Sequence, residues 1–481
     1  MSFNVRAIVQ ILGILLLLQA SFMLLPLFYS LYRGDGQFAA FLVSAVLVFV
    51  CGLALWLPNR GKRQLHKRDI YLIVTGGWVL LSLMGALPYL FGGAIPQLAN
   101  AFFESVSGFT TTGASVLTAI EVQPESILLW RSLTQWIGGM GIVVLMIAVM
   151  PLLGIGGMQL FNAESPGVTV DKLTPRIKET AGIMWVVYVV LTFALGFFLW
   201  LGGMSVFDAI NHAFTTLSTG GFSTKQASMA AFAPHLQYIV IFFMFLAGTS
   251  FALLYTALFT KITALFRNDE FRYYVYVVVG ATLVLWLFGV TLGTGIEHAF
   301  RDALFQVVSI VTTTGFATAD YYVWAAPMVY ILFILMFVGG MTGSTAGGVK
   351  VMRHLVLFKD AFLEFRKQLH PDAILPVRFN GKLVPQSVLY RVIAFVMLYI
   401  FIAVVSVVVL LLFGIDTPTS FGAVAATLGN IGPGLGEVGP VGDYSQLPDL
   451  VKWYLSGLMI VGRLELFTVL MLFTPYFWRR Y

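Results

Sequence analysis

Long apolar runs separated by short polar breaks fill most of the chain. Runs at 7–32 and 36–60, joined by Gly34-Asp35-Gly36, read as two membrane-spanning helices, since a span takes about 20 apolar residues. The first is too long for a leader peptide, and no small-residue cleavage site follows it, so it reads as a retained helix. Further spans are expected at 69–93, 127–155, 179–203, 235–265, 272–293, 327–358, 388–414 and 449–478. Between them lie four shorter, moderately apolar segments at 97–115, 207–224, 299–318 and 416–436, too brief to cross a bilayer.

Each short segment ends in a Thr/Gly-rich stretch. These are Thr110-Thr111-Thr112-Gly113, Leu217-Ser218-Thr219-Gly220-Gly221-Phe222, Thr312-Thr313-Thr314-Gly315-Phe316 and Leu428-Gly429-Asn430-Ile431-Gly432-Pro433-Gly434. With Gly113, Gly220, Gly315 and Gly432 aligned, the spacings are 107, 95 and 117 residues, the period of a four-fold internal repeat. The expected units are 1–66 for the two extra helices, then 67–160, 161–268, 269–382 and 383–481. The fold class is all-α polytopic, with four helix–pore loop–helix repeats around one pore and two extra N-terminal helices.

Charge supports this layout from an independent direction. The densest basic run, Asn59 to Arg68, belongs in the cytosol by the positive-inside bias. If the spans alternate from there, the connections at 156–178, 261–272 and 350–387 and the tail Arg479-Arg480 are cytosolic too. Together with the first run these hold 20 of the 28 Lys and Arg residues. All four short segments then enter from the outer side.

Irregular backbone at membrane depth survives only where protein buries it or water lines it. The short segments start near Asn100, Asp208, Asp302 and Thr417, types suited to helix N-termini. Their C-termini would converge on one axis, each carrying roughly −0.5 elementary charge, which favours a cation. The candidate ion ligands are Thr111, Thr112 and Gly113; Ser218, Thr219 and Gly220; Thr313, Thr314 and Gly315; Asn430, Ile431 and Gly432. No carboxylate sits among them, so backbone carbonyls and hydroxyls would replace the hydration shell of a weakly hydrated monovalent ion, whereas Ca²⁺ and Mg²⁺ call for carboxylates or retained water.

Two features lie deeper. Gly339, Gly340, Thr342, Gly343, Ser344, Thr345, Gly347 and Gly348 interrupt the third repeat's inner span. Five glycines in ten residues, at about 1 kcal/mol each against alanine, do not make a stable helix interior. Pairs of adjacent glycines also do not fit the four-residue spacing of a packing face. An unwound loop under the filter is expected. Arg463 lies mid-span, where insertion costs roughly 2.5–3.5 kcal/mol, and a pore-facing position accounts for it. Glu465 is two residues away and on another helix face, which leaves its role open.

The Thr-Thr-Thr-Gly-Phe loop, Trp136-Ile137-Gly138-Gly139-Met140-Gly141, Gly220-Gly221-Phe222-Ser223, Asn430-Ile431-Gly432-Pro433-Gly434 and Gly462-Arg463-Leu464-Glu465 resemble the Trk/Ktr-type potassium uptake family. The likeness covers the whole chain, and the two extra N-terminal helices point to the Trk branch. It implies K⁺ as the transported ion, residues 339–348 as an intramembrane gate, a homodimer, and a cytosolic nucleotide-binding ring of the RCK type as partner. It also implies location in a bacterial inner membrane. The basic segment 350–387 fits either docking of that partner, from its place behind the gate, or contact with anionic membrane lipid.

Other classes find little support. The six histidines are scattered, one cysteine (Cys51) excludes disulfides within the chain, and no Walker or dinucleotide motif appears. No catalytic constellation or organic cofactor is expected, and the net charge of +6 reflects cytosolic loops rather than nucleic acid. The rival reading is an H⁺- or Na⁺-coupled potassium symporter, with a site at the midplane. Strict proton coupling wants an intramembrane carboxylate, and the expected spans offer only Glu465 beside Arg463.

Overall fold

The computed structural model describes residues 3–61, 65–141, 177–293, 295–373 and 375–479. The second half of the expected span at 127–155, most of the connection at 156–178, Lys62, Arg63 and Arg480 lie outside the described residues.

The first two helices, Val5–Arg33 and Phe38–Trp56, form an antiparallel pair. Arg33 ends the first, and Gly34 closes it in the left-handed conformation at φ 66°, where glycine has no Cβ to clash. The pair packs on the first repeat: Gln19 donates to the Leu81 carbonyl, and Arg33 meets Glu125.

The outer helices of the four repeats are Lys67–Gly85, Ile177–Leu201, Asp269–Thr291 and Gln386–Leu412. Each is followed by a pore helix: Leu98–Phe109, Val206–Leu217, Ile296–Val311 and Thr417–Leu428. These run 12, 12, 16 and 12 residues, or roughly 18–24 Å at 1.5 Å per residue, short of the 30 Å hydrocarbon core. Inner helices start at Glu125, Pro234, Ala326 and Asp449, each opened by a proline (Pro124, Pro234, Pro327 or Pro448). Proline suits that place, because its missing N–H is one the first turn leaves unpaired anyway.

The caps of the pore helices differ from the sequence expectation in one repeat. Asn100 and Asp208 do lie in first turns, and Thr417 opens its helix behind the Asp416 cap. Asp302, however, sits in the second turn of Ile296–Val311, because the helix begins a turn earlier with Glu297 in its first turn.

The inner helices depart further. The spans at 235–265 and 449–478 are expected to be continuous, yet both are sharply broken. Pro234–Ala247 and Phe251–Phe259 meet at 103°, and Asp449–Arg463 meets the segment Phe467–Phe473 at 112°. In the second repeat the break is Gly248-Thr249-Ser250; in the fourth it is Leu464-Glu465-Leu466, where Glu465 and Leu466 have φ of 57° and 51°. The third repeat's helix ends at Leu335 and resumes as Val351–Leu369, with irregular backbone between, as expected. In the first repeat, Glu125–Trp136 widens into a π-turn at Ile137–Gly141. All four inner helices thus change character close to Arg463 and the glycine-rich loop, which the sequence showed in one repeat only.

Six helices are long and apolar enough to cross a membrane among the described residues, and each bent pair supplies a further candidate. Strand is confined there to the pair Arg378–Phe379 and Lys382–Leu383, a hairpin turned by Asn380 (φ 49°) and Gly381 (φ 74°).

Candidate ion pathway

The four pore helices end in one conformation. The N–H groups of Thr112, Gly220, Thr314 and Ile431 reach back five residues to the carbonyls of Ser107, Thr215, Ser309 and Ala426, at 2.9, 2.8, 2.8 and 2.8 Å. The residue before each donor is left-handed: Thr111, Thr219, Thr313 and Asn430 have φ of 52°, 53°, 56° and 54°. This is the Schellman ending, whose left-handed position usually carries glycine. Threonine there costs about 1–3 kcal/mol and persists only where the surroundings enforce it. Two residues after each comes a glycine of positive φ: Gly113 (82°), Gly221 (76°), Gly315 (82°) and Gly432 (99°).

That register corrects the alignment of the second repeat. Its counterpart of Gly113 is Gly221 rather than Gly220, which lacks positive φ; the second stretch is therefore Thr219-Gly220-Gly221. Two glycines in a row made the shift invisible in sequence. Ser218 falls one place earlier, at the C-cap of its pore helix.

These glycines close a ring. A methyl group on Gly113 would strike the Gly220 carbonyl; on Gly221, the Thr314 carbonyl; on Gly315, the Ile431 carbonyl; on Gly432, the Thr112 carbonyl. Every glycine abuts the carbonyl just before the glycine of the next repeat, and the fourth returns to the first. Only a pseudo-four-fold arrangement around one axis gives that circuit. Gly113, Gly221, Gly315 and Gly432 accordingly line one cavity of about 80 Å³.

Side chains behind the ring hold it in place. Gln135, from the first repeat's inner helix, donates to the Gly220 carbonyl (2.7 Å) and accepts from the Phe222 N–H (3.1 Å). Asn430 Nδ2 donates to Thr112 Oγ1 and to the Met459 carbonyl, each at 2.9 Å, tying the last repeat to the first. Tyr444 donates to the Gly432 carbonyl (2.8 Å) and Tyr321 to the Gly434 carbonyl (2.9 Å). Asp208 accepts from Thr224 (2.5 Å) and Asp302 from Thr318 (3.0 Å), each hydroxyl three residues past a ring glycine. The second-turn position of Asp302 thereby has a use.

The first repeat uses a buried ion pair instead, which the sequence reading missed. Glu104 accepts from Arg131 Nε at 2.7 Å, with both residues almost wholly buried. It also takes the Val116 N–H (2.9 Å), while the guanidinium lies 4.0 Å from the centre of the Phe222 ring. The 27-residue separation gave no local sign of the contact.

Below the ring, the loop at 339–348 contacts the second, third and fourth repeats, and Arg463 links it to the first. Gly347 N–H donates to Thr313 Oγ1 (2.7 Å), and Thr345 Oγ1 donates to the Leu217 carbonyl (3.0 Å). A Cβ on Gly347 would crowd Asn430 of the fourth repeat. Arg463 Nη1 donates to the Thr345 carbonyl (2.7 Å), and its Nη2 to the carbonyls of Gly138 (2.9 Å) and Gly139 (2.7 Å). This half-buried arginine thus satisfies carbonyls freed by two helix breaks, where bond donation offsets the cost of its charge. Glu465 pairs with Arg353 and, at 3.5 Å, with Lys350, where the loop leads into the helix Val351–Leu369. The left-handed turn at Glu465 and Leu466 carries it to that side. Of the remaining loop residues, Thr342 is tied by its N–H to Glu270, Gly343 accepts through its carbonyl from the Phe251 N–H, and Ser344 caps the loop's own Met341 carbonyl. Gly339 and Gly348 both take positive φ and face one another across the loop's neck, with the Gly340 carbonyl accepting from the Val351 N–H.

Fold and site together define a polytopic membrane protein of four pseudo-symmetric helix–re-entrant–helix repeats. The family described as TrkH, cation transport protein, matches residues 37–479, and the chain belongs to it. It is 40% identical to the Trk system potassium uptake protein TrkH of Escherichia coli K12, over 98% of this chain and 99% of that protein. It is 36% identical to TrkG of the same organism, over 99% of each. The crystal structure of the potassium transporter TrkH from Vibrio parahaemolyticus superposes with a TM-score of 0.89 at 39% identity, covering 99% of this chain and all of that one. The protein is accordingly a multi-pass inner-membrane protein and not an enzyme.

Proposed function

We propose that the chain takes up potassium through a selective pore whose filter is the ring of Thr111-Thr112-Gly113, Thr219-Gly220-Gly221, Thr313-Thr314-Gly315 and Asn430-Ile431-Gly432, gated by the loop at 339–348. The observation that carries this reading is the closed circuit of glycines and carbonyls at the ends of four inward-pointing helices. Positive φ at the first and third residues of each stretch turns successive carbonyls toward the axis, and the helix ends add negative potential. Such a site binds a cation by replacing its water with oxygen dipoles. Potassium is the ion named for the relatives, and the absence of carboxylates from the ring suits it.

Beneath the ring, the loop occupies the route inward, with Arg463 presenting a positive charge beside it. The chain works as a homodimer, with a cytosolic nucleotide-binding ring of the RCK type controlling the loop. Supporting this, Phe358, Phe362, Phe365 and Leu369 make an exposed apolar stripe along the cytosolic helix Val351–Leu369, which runs straight on from the loop. Spacings of three and four residues put the four on one face.

Flux into liposomes with the proton gradient collapsed tests the reading. The parent should carry K⁺, and Arg463→Ala, which removes the barrier charge, should carry it several-fold faster at equal protein. Flux that ceases without a proton or Na⁺ gradient assigns the chain to coupled symport; unchanged flux with poor yield of Arg463→Ala makes the arginine a purely structural tie.

A further inference from the structure

The gating proposal leaves one buried carboxylate unused. Glu270 is the second residue of the third repeat's outer helix, at its cytosolic end, and only 5% of it is exposed. No ion pair holds it among the described residues; Lys350, itself paired with Glu465, acts on it from farther off. Its Oε1 instead accepts the N–H of Thr342 at 2.7 Å, in the middle of the glycine-rich loop. A charged acceptor on a backbone N–H makes one of the stronger hydrogen bonds, and removing it leaves a buried donor unsatisfied. Five glycines give this loop few rotamers or side chains of its own to fix it, so such a tether has large leverage on its position.

The neighbouring carboxylate faces the other way. Asp269 accepts from Lys359 Nζ of the cytosolic helix (2.7 Å) and from the Asn380 N–H at the hairpin turn (3.1 Å). Asn380 Oδ1 in turn accepts the Asp269 N–H (2.7 Å), so the hairpin caps this helix reciprocally. Lys359 also donates to the Arg378 carbonyl of the hairpin (3.0 Å). Two adjacent residues thus join the hairpin at 378–383 to the loop under the filter, one residue to each.

Resting on the reading of 339–348 as a gate, we propose that Glu270 is a gate-positioning residue: it holds the loop in the blocking position through Thr342, and the hairpin is the cytosolic handle that moves it through Asp269. A pull on the hairpin displaces the N-terminus of the outer helix and with it the carboxylate that restrains the loop.

The test is K⁺ flux through the full chain in liposomes, without partner, for the parent, Glu270→Ala, Glu270→Gln, a deletion within Gly340–Gly347, and Glu270→Ala combined with that deletion. Glu270→Ala should raise flux several-fold with unchanged discrimination between K⁺ and Na⁺. Glu270→Gln keeps an oxygen acceptor for Thr342 and should stay near the parent. In the deletion background Glu270→Ala should add nothing, since the tethered loop is gone; a merely structural residue would depress both backgrounds alike. If the deletion raises flux but Glu270→Ala does not, the tether is wrong and the gate stands. If the deletion itself leaves flux at the parent's level, the gate reading fails, and the tether with it. Equal effects of the alanine and glutamine variants also overturn the tether, since acceptance would not matter. Should Glu270→Ala not fold, Glu270→Asp draws the carboxylate back by one methylene and carries the same expectation.

Discussion

Gly221→Ser raises the KM for K⁺ and weakens discrimination against Na⁺ far more than Gly220→Ala does. At Gly221 the φ of 76° is hostile to any Cβ, and the methylene would drive into the Thr314 carbonyl of the next repeat. Left-handed strain alone is worth about 1–3 kcal/mol, and displacing a ligand carbonyl adds to it. A loss of roughly ten- to a hundred-fold in K⁺ affinity follows, at about 1.4 kcal/mol per factor of ten. At Gly220 a Cβ first meets the side-chain amide of Gln135; moving it costs the bonds to the Gly220 carbonyl and the Phe222 N–H but adds no left-handed strain and strikes no carbonyl of the next repeat. Uptake assays at varied K⁺ for both variants, with protein yield measured alongside, decide it. Equal penalties at the two glycines would contradict the register.

Deleting part of Gly340–Gly347 should leave the filter intact and raise flux by about an order of magnitude, while loosening control by the cytosolic partner. The loop's hydrogen bonds run to Thr313, Leu217, Glu270 and Arg463 rather than to a helical ladder. Backbone held that way has alternative arrangements at small cost, as a bistable element requires. Its two ends are otherwise fixed: Gly339 and Gly348 form the neck, and Lys350 anchors the exit on Glu465. Flux with and without partner, for deletion and parent, is the readout. A deletion that selects K⁺ and conducts no faster than the parent would make the loop a packing kink.

Repeats, spans and the unwound third inner helix were legible because each rests on a property the sequence carries locally: run length, charge bias, glycine density. What was hidden depends on distance or on conformation. Nothing in Gly220-Gly221 says which one takes positive φ. The break at Gly248-Thr249-Ser250 carries one glycine rather than a cluster, and at Leu464-Glu465-Leu466 the left-handed positions fall on glutamate and leucine, not on glycine. The Glu104–Arg131 pair, the Gln135 clamp and the Glu270 tether join residues far apart in the chain. One signal was available and unused: a proline stands at the start of each of the four inner helices, after the pore stretch of its repeat.

The reversal potential of the purified chain in liposomes, with K⁺ and Na⁺ gradients varied separately and no proton gradient, bears most directly on the pore. A ring of oxygen dipoles with no carboxylate predicts a potential that follows the K⁺ gradient and responds weakly to Na⁺. A potential indifferent to K⁺, or one that tracks Na⁺ equally, would contradict a potassium filter built from these four stretches.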